Sequence, residues 1–268
     1  MKTPKVSVVI GSYNCERFIQ ETVQSVIDQT FKDWELVIVD DCSTDSTCQK
    51  INEIGDDRIR LIKLDKNSGL PAVPRNVAMK NARGDYIAFL DHDDLWLPKK
   101  LEKQVEFLEK NKDVFLVYTK CIIQRDGKQL KVNPQKPRSG HIFKDLFLHF
   151  NFIDVMTVVI RNKKNANTYF FDEDKKFATV EDYALWLSVA KEQKVSFIDE
   201  PLAIYRVHSA GLSKGAFSHF RKCKHVIKKF SPFVSRTMLI RAHSNFYVRL
   251  VFVGVMVLLI RMKRAIIR

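Results

Sequence analysis

Asp91, Asp93 and Asp94 place three carboxylates within four consecutive residues, with His92 among them. Carboxylates that close repel one another unless a cation lies between them. Hard oxygen donors favour Mg²⁺ or Mn²⁺, ions that usually bridge protein carboxylates to substrate phosphates. Two further polar clusters, Ser12-Tyr13-Asn14 and Asp40-Asp41, and an acidic pair, Glu181-Asp182, complete the set. Tyr13 offers a ring for stacking, Asp41 an acceptor for a base N–H, and the Asp91/Asp93 pair a metal site. Each also has a purely structural reading. A strand-end aspartate such as Asp40 often caps the next helix, and an acid such as Asp182 in a first helical turn is favoured by the dipole. His208 reads equally as a packed histidine, and Trp96 and Trp186 read as core or cleft wall.

The elements that carry these residues alternate. Apolar, β-branched runs over 6–10, 36–39, 60–64, 86–90 and 114–119 predict strands, and helical spacing predicts helices over 16–29, 43–54, 74–82 and 98–110. Strands separated by helices of about ten residues imply βαβ units and a mostly parallel twisted sheet. Beyond residue 120 the pattern loosens. Asp126-Gly127 predicts a hairpin turn between 121–124 and 129–132, with strands over 156–160, 195–198 and 202–207 and a helix over 181–193. In an open α/β sheet, ligands bind beyond the carboxyl ends of the strands, near the point where strand order reverses. The three polar clusters follow the first, second and fourth predicted strands.

Glycine-based phosphate loops are absent. The turn Gly11-Ser-Tyr-Asn-Cys-Glu has one glycine, and no G-x-x-x-x-G-K-[ST] occurs. A nucleotide would be held by stacking, hydrogen bonds and a metal.

Six ordered segments carry a resemblance: VSVVIGSYN, ELVIVDDCSTDST, Asn67-Ser68-Gly69, Pro74-Arg75-Asn76, GDYIAFLDHDDLWLP and Glu181-Asp182-Tyr183. Over roughly residues 4–210 the chain resembles a family 2 inverting glycosyltransferase, especially the bacterial enzymes that build surface polysaccharides. The resemblance implies a nucleotide-diphospho-sugar transferase (glycosyltransferase A) α/β fold, an Mn²⁺- or Mg²⁺-dependent D-x-D motif and a single displacement. It implies that Tyr13 stacks on the base, usually uracil, that Asp41 meets the base or ribose, and that Arg75 helps hold the nucleotide. Asp91 would face the ribose or donor sugar, Asp93 would ligate the metal, and Asp182 would be the catalytic base. Arg206 and His208 resemble a late motif folding over the diphosphate, with His208 a further metal ligand. Gly11 stands where Pro or Thr is common, which removes one side-chain contact to the base. A nucleotide-sugar donor, usually UDP-linked, and a glycan or lipid-linked acceptor are the implied partners. A sugar-phosphate nucleotidyltransferase would need a glycine-rich, Arg-containing loop after the first strand, which residues 11–17 lack.

Charge divides the chain in two. All 31 Asp and Glu lie at or before Glu200, whereas 14 of the 45 Lys and Arg lie after it, so the whole +14 sits in the last 68 residues. A balanced catalytic domain over 1–213 and a basic, helical tail over 214–268 are therefore expected. The neutral body and its carboxylates argue against a nucleic-acid partner. The tail suits an anionic membrane surface. Within it, 246–260 is apolar apart from Arg249. Fifteen helical residues span roughly 22 Å, short of the roughly 30 Å hydrocarbon core, so peripheral attachment to the inner face is expected rather than a full span. Packing on the body, or across a homodimer, is the competing use of that helix. The N-terminal residues have no secretory pattern, and the five cysteines lack zinc spacing, so a cytoplasmic protein with reduced thiols is expected.

Overall fold

The computed structural model describes residues 3–125, 127–133, 138–162, 169–208 and 216–266. Strands β1 (Val6–Ser12), β2 (Trp34–Asp40), β3 (Ile59–Lys63) and β4 (Tyr86–Phe89) alternate with helices α1 (Ile19–Ile27), α2 (Thr47–Asn52) and α3 (Ala72–Lys80). After β4 come β5 (Leu95–Trp96), α4 (Lys100–Lys110), β6 (Val114–Arg125), β7 (Lys128–Val132), α5 (Phe143–His149) and β8 (Val159–Arg161). The chain continues with α6 (Glu181–Glu192), β9 (Lys194–Val207), α7 (Ala216–Phe230) and α8 (Arg236–Ile266). All strands join one sheet in the order β3-β2-β1-β4-β8-β6-β9-β5, with β7 on β6.

The β1–β4 half is parallel throughout. The other half is mixed, because β8 runs antiparallel to both β4 and β6 while β6 and β9 are parallel. From β1 the chain builds outward through β2 and β3, then crosses to place β4 on the other side of β1. The strand order therefore reverses between β1 and β4.

Period-two alternation lets each central strand serve both faces. Val6, Val8, Ile10, Leu36 and Ile38 pack with α1 and α4 residues, among them Ile19, Val23, Leu101 and Leu108. Their neighbours Val9, Val37, Val39, Ile87 and Phe89 face the opposite layer, with Met79 of α3 and Trp186 of α6. That second layer also takes in Val226, Ile227 and Phe230 of α7 and Ala242 and Phe246 of α8. Hydrophobic packing thus runs from the neutral body into the basic tail, and the expected boundary at 213 falls among residues outside the described ones.

Several expectations on element limits change. The strands expected at 114–119 and 121–124 are one strand, β6, and the helix expected over 43–54 starts only at Thr47. The strands predicted at 195–198 and 202–207 are one strand, β9, whose register against β6 slips opposite Lys120 and Pro201. Proline lacks a ladder N–H and is accommodated there as an irregularity. The strand predicted over 156–160 begins only at Val159, because Thr157 bonds the Asp154 carbonyl through both its N–H (3.0 Å) and its hydroxyl (2.6 Å) and closes a tight turn. Helix α1 starts at Ile19 rather than 16, because residues 12–18 form a turn held by side chains. The short β5 and α5 carried too little periodicity to be predicted. Asp126 of the predicted hairpin turn lies outside the described residues, while β6 and β7 pair antiparallel as expected. Among the described residues, no helix is long and apolar enough to cross a membrane. All five cysteines are free thiols.

Candidate active site

The polar clusters converge at the carboxyl ends of β1, β2 and β4, beside the reversal of strand order. The turn after β1 and the turn after β2 are zipped together. Asn14 Oδ1 accepts from Thr44 N (2.8 Å), Asn14 N donates to Ser43 Oγ (2.9 Å), and Ser46 N donates to Glu16 Oε2 (2.9 Å). Asp40 is spent on this turn, accepting from Ser43 N (2.8 Å), Ser43 Oγ (2.6 Å) and Ser12 Oγ (3.1 Å). It holds this turn instead of capping α2, whose N-cap position is Ser46. Tyr13 projects from the zipped turn with 43% of its surface exposed.

Asp41 is buried and fastens the loop after β3. Its carboxylate accepts from Ser68 N (2.9 Å), Ser68 Oγ (2.8 Å) and Asn67 Nδ2 (3.1 Å). A carboxylate has about four lone-pair positions, so room for one further donor remains. Gly11 has a packing reason: a Cβ there would lie 3.0 Å from Pro74 Cγ and 3.4 Å from Arg75 Cγ. Its bareness lets the start of α3 close on the end of β1 and carries Arg75 into the site.

Arg75 joins the two acidic groups. Nη2 meets Asp91 Oδ1 at 2.5 Å, and Nη1 meets Glu181 Oε1 at 2.8 Å, 106 residues further along. Burial works against the guanidinium charge, but Asp91 and Glu181 outweigh it and raise the pKa. Arg75, which the resemblance assigns to the nucleotide, is in the fold also a strut between the Asp91 loop and the start of α6. Its neighbour Asn76 stitches the 171–173 segment to α3, through Phe171 N and O (both 2.9 Å) and Glu173 Oε1 (2.8 Å).

Asp93 and His208, 115 residues apart, meet with Oδ2 and Nε2 separated by 2.9 Å. The His208 ring lies 4.3 Å from the Phe18 ring, centroid to centroid. Arg206 anchors the same loop: its backbone N–H donates to Asp94 Oδ1 (2.9 Å), and its guanidinium reaches the Asp93 carbonyl, Glu21 and Thr22. Its contacts are with the protein, which makes it a brace for the D-x-D loop. His92 ties that loop to β1 through Nδ1 and the Gly11 carbonyl (3.0 Å). Asp94 is buried, and its Oδ2 has no hydrogen-bond partner among the described residues. Burial, then the charges of Asp93 and Asp91, push its carboxyl well above the usual range.

The Asp93–His208 pair can be tested as a divalent-ion site. Two cis ligands at about 2.1 Å from an octahedral ion lie about 3 Å apart, which the observed separation matches. Among the described residues, no group of three His, Cys, Asp or Glu could hold a metal. These two side chains therefore suit an ion that takes its remaining ligands from a substrate and water, as Mg²⁺ commonly does.

Asp182 sits across the Arg75 strut. Its Oδ2 accepts from Asn151 Nδ2 at 2.8 Å, and its Oδ1 accepts from Tyr183 N at 2.7 Å. Burial, reinforced by the charge of Glu181, pushes its carboxyl up to about 8. Asn151 was invisible in the sequence, since nothing in the 31-residue separation marks it. Trp96 and Trp186 are core, with indole N–H groups on the carbonyls of Met156 (2.8 Å) and Ile153 (3.2 Å). Of the described non-glycine residues with positive φ, Asn14 and Cys42 flank Tyr13 and Asp41, Thr179 precedes Glu181, and Phe150 precedes Asn151. Strained backbone of this kind costs on the order of 1–3 kcal/mol per residue and collects at functional sites.

Known proteins resemble this chain in sequence and in fold. Residues 7–170 match the model of Glycosyl transferase family 2. TuaG of Bacillus subtilis, a glycosyltransferase named for teichuronic acid biosynthesis, is 37% identical over 223 residues, covering 82% of this chain and 85% of its own. WfaP of Escherichia coli, a UDP-Glc:α-D-GlcNAc-diphosphoundecaprenol β-1,3-glucosyltransferase, is 37% identical over 227 residues, covering 83% of this chain and 85% of its own. The mannosyltransferase PcManGT of Pyrobaculum calidifontis, solved with GDP-Man and Mn²⁺, superposes with a TM-score of 0.67 at 16% identity, covering 99% of this chain and 81% of that one. The last likeness is one of fold.

Proposed function

The chain belongs to glycosyl transferase family 2 and is a glycosyltransferase, and we propose that it moves a sugar from a UDP-linked donor to a hydroxyl of a lipid-linked or glycan acceptor, with inversion and with Mn²⁺ or Mg²⁺. The observation that carries this reading is the Arg75 strut, which ties Asp91, two residues before Asp93, to Glu181, the neighbour of Asp182, at one end of the sheet. Single displacement needs a leaving-group side and a base side in fixed relation. The WfaP donor and its diphosphoundecaprenol acceptor support the choice of UDP and of a lipid-linked substrate.

Tyr13, exposed on the zipped turn, stacks on the uracil, and Asp41 accepts a hydrogen bond from the base or ribose. Asp91, already fixed by Arg75, faces the ribose or donor sugar. Asp93 and His208 would hold the divalent ion, and Arg206 keeps their loop in register. When bound, the ion neutralises charge developing on the diphosphate as it leaves. Asp182 takes the acceptor hydroxyl proton as the new C–O bond forms and the anomeric C–O bond to diphosphate breaks. A base titrating near the working pH suits that task. UDP should raise the melting temperature only with Mn²⁺ present, and EDTA should reverse the gain. Equal stabilisation by UDP with and without the ion would refute the metal-dependent donor site.

The acceptor class implies work at a membrane, and α8 supports peripheral attachment. Ile240, Tyr247, Val248 and Val251 are each more than 60% exposed along one helical face. No acid occurs beyond Glu200 to offset the basic residues around them. Cations near an anionic leaflet add about 1 kcal/mol each to the insertion of such a face. Side chains beyond Val251 lie outside the described residues. Because α7 and α8 contribute to the core, the test uses the full chain. It should co-sediment with vesicles containing anionic lipid, and Val248→Glu with Val251→Glu should abolish this without changing the melting temperature. Equal sedimentation of both proteins would remove the membrane reading. A dimer in solution that the same pair of substitutions dissolves would assign the face to a second copy.

A further inference from the structure

Arg249, the single charge interrupting the apolar run of α8, contacts the backbone that leads to the proposed base. Its Nη1 donates to the His149 carbonyl at 2.9 Å, and its guanidinium lies 5.1 Å from the Phe150 ring centroid. One turn earlier on α8, Asn245 Nδ2 donates to the Leu148 carbonyl at 3.0 Å. Both acceptors are among the last carbonyls of α5, the end of a helix where carbonyls commonly take donors from outside it. Phe150 then takes φ 64°, a left-handed conformation rare for an aromatic residue. Its ring is packed by Phe220 of α7 (5.2 Å), Phe246 of α8 (6.4 Å) and Tyr183 of α6 (6.4 Å). The very next residue is Asn151, the donor to Asp182.

We propose that Arg249, with Asn245, is a positioning residue: α8 clamps the end of α5, holds Phe150 in its left-handed turn and so aims the Asn151 amide at the Asp182 carboxylate. This rests on Asp182 being the base and adds that the C-terminal helix sets the base's geometry. A donated N–H favours the charged form of a carboxylate, so loosening the clamp makes Asp182 harder to deprotonate. The other ionisable groups facing Asp182 are Glu181 on its own helix, Arg75 of α3, Asp91 after β4 and Cys223 of α7. Cys223 also feels the Arg249 charge. Arg249→Gln, neutral but still a donor, is therefore included to separate loss of the hydrogen bond from loss of charge. Under the clamp it should leave the ascending limb where the wild type has it.

The experiment compares full-length Arg249→Met, which keeps the stem over Phe150 but no donor, with Arg249→Lys and Arg249→Gln, which keep a donor, and with Asn151→Ala. The assay is transfer from nucleotide sugar across pH 6–9, with melting temperatures as a fold control. Arg249→Met should lower kcat at pH 7 roughly tenfold, leave the donor KM unchanged and move the ascending limb of the profile upward in the same sense as Asn151→Ala. Arg249→Lys should restore both. An unchanged limb in Arg249→Met beside a moved limb in Asn151→Ala overturns the clamp, as does a kcat loss that Lys fails to rescue. Wild-type turnover in Asp182→Asn would instead refute the base assignment, whatever Arg249 does.

Discussion

Asp182→Asn is expected to lower kcat by about 10²- to 10⁴-fold while leaving donor affinity unchanged. The substitution keeps the shape of the side chain, and its one amide oxygen can accept from the Asn151 amide or from the Tyr183 N–H but not from both. It removes the group that receives the acceptor proton, and a melting temperature serves as the fold control. The pH dependence gives a second, independent check. Burial and Glu181 raise the Asp182 carboxyl from 3.8 to about 8, so below that pH it is protonated and cannot act as a base. kcat/KM of the wild type should therefore rise with pH through that region, and the residual activity of Asp182→Asn should lack this limb. Stability should run the other way. The folded state binds the Asp182 proton more tightly than the unfolded chain does. This contribution is complete below about pH 4 and is lost as pH rises through about 8. Asp182→Asn should flatten that slope in denaturant titrations followed across pH. Wild-type turnover in the variant would move the role to Glu181.

Asp93→Ala is expected to remove metal-dependent transfer, with a loss of at least about 10³-fold, since several kcal/mol of charge stabilisation rest on the ion and each 1.4 kcal/mol is about tenfold. The loop itself should stay in place. Arg206 grips it through the Asp93 carbonyl and Asp94 Oδ1, not through the Asp93 side chain, and His92 ties it to Gly11. A near-native melting temperature with no Mn²⁺-dependent shift in UDP is the expected signature. Activity of Asp93→Ala equal to wild type, or full wild-type activity in excess EDTA, would show that the ion has no part in the reaction. His208→Ala tests the other half of the pair and should weaken Mn²⁺ dependence with the Asp93 ligand still present.

These two outcomes would also separate the carboxylates that the sequence could not rank. Asp91, Asp93 and Asp94 look alike as neighbours in a chain. In the fold, Asp91 is neutralised by Arg75, Asp93 faces His208, and Asp94 is buried with a raised pKa. Each environment is built by residues from elsewhere in the chain, at separations that no local pattern records.

By itself the sequence determined the alternation of strands and helices from β1 to α4, because each element there is long enough to show its period and ends in turn-forming residues. It also determined that the polar clusters lie at strand ends, since a cluster's place in a parallel strand follows from chain direction alone. The family was legible for the same reason: its motifs are short, contiguous and tied to those strand ends. Tertiary structure alone decided what joins them. Arg75 became a strut because α3 closes on Gly11 and brings it between Asp91 and Glu181. Asn151 reached Asp182, and Arg249 reached the end of α5, because α5, α6, α7 and α8 share one aromatic core. Such contacts depend on how apolar faces pack across long loops, and hydrophobic packing is non-directional, so a linear pattern of residues does not encode which faces meet.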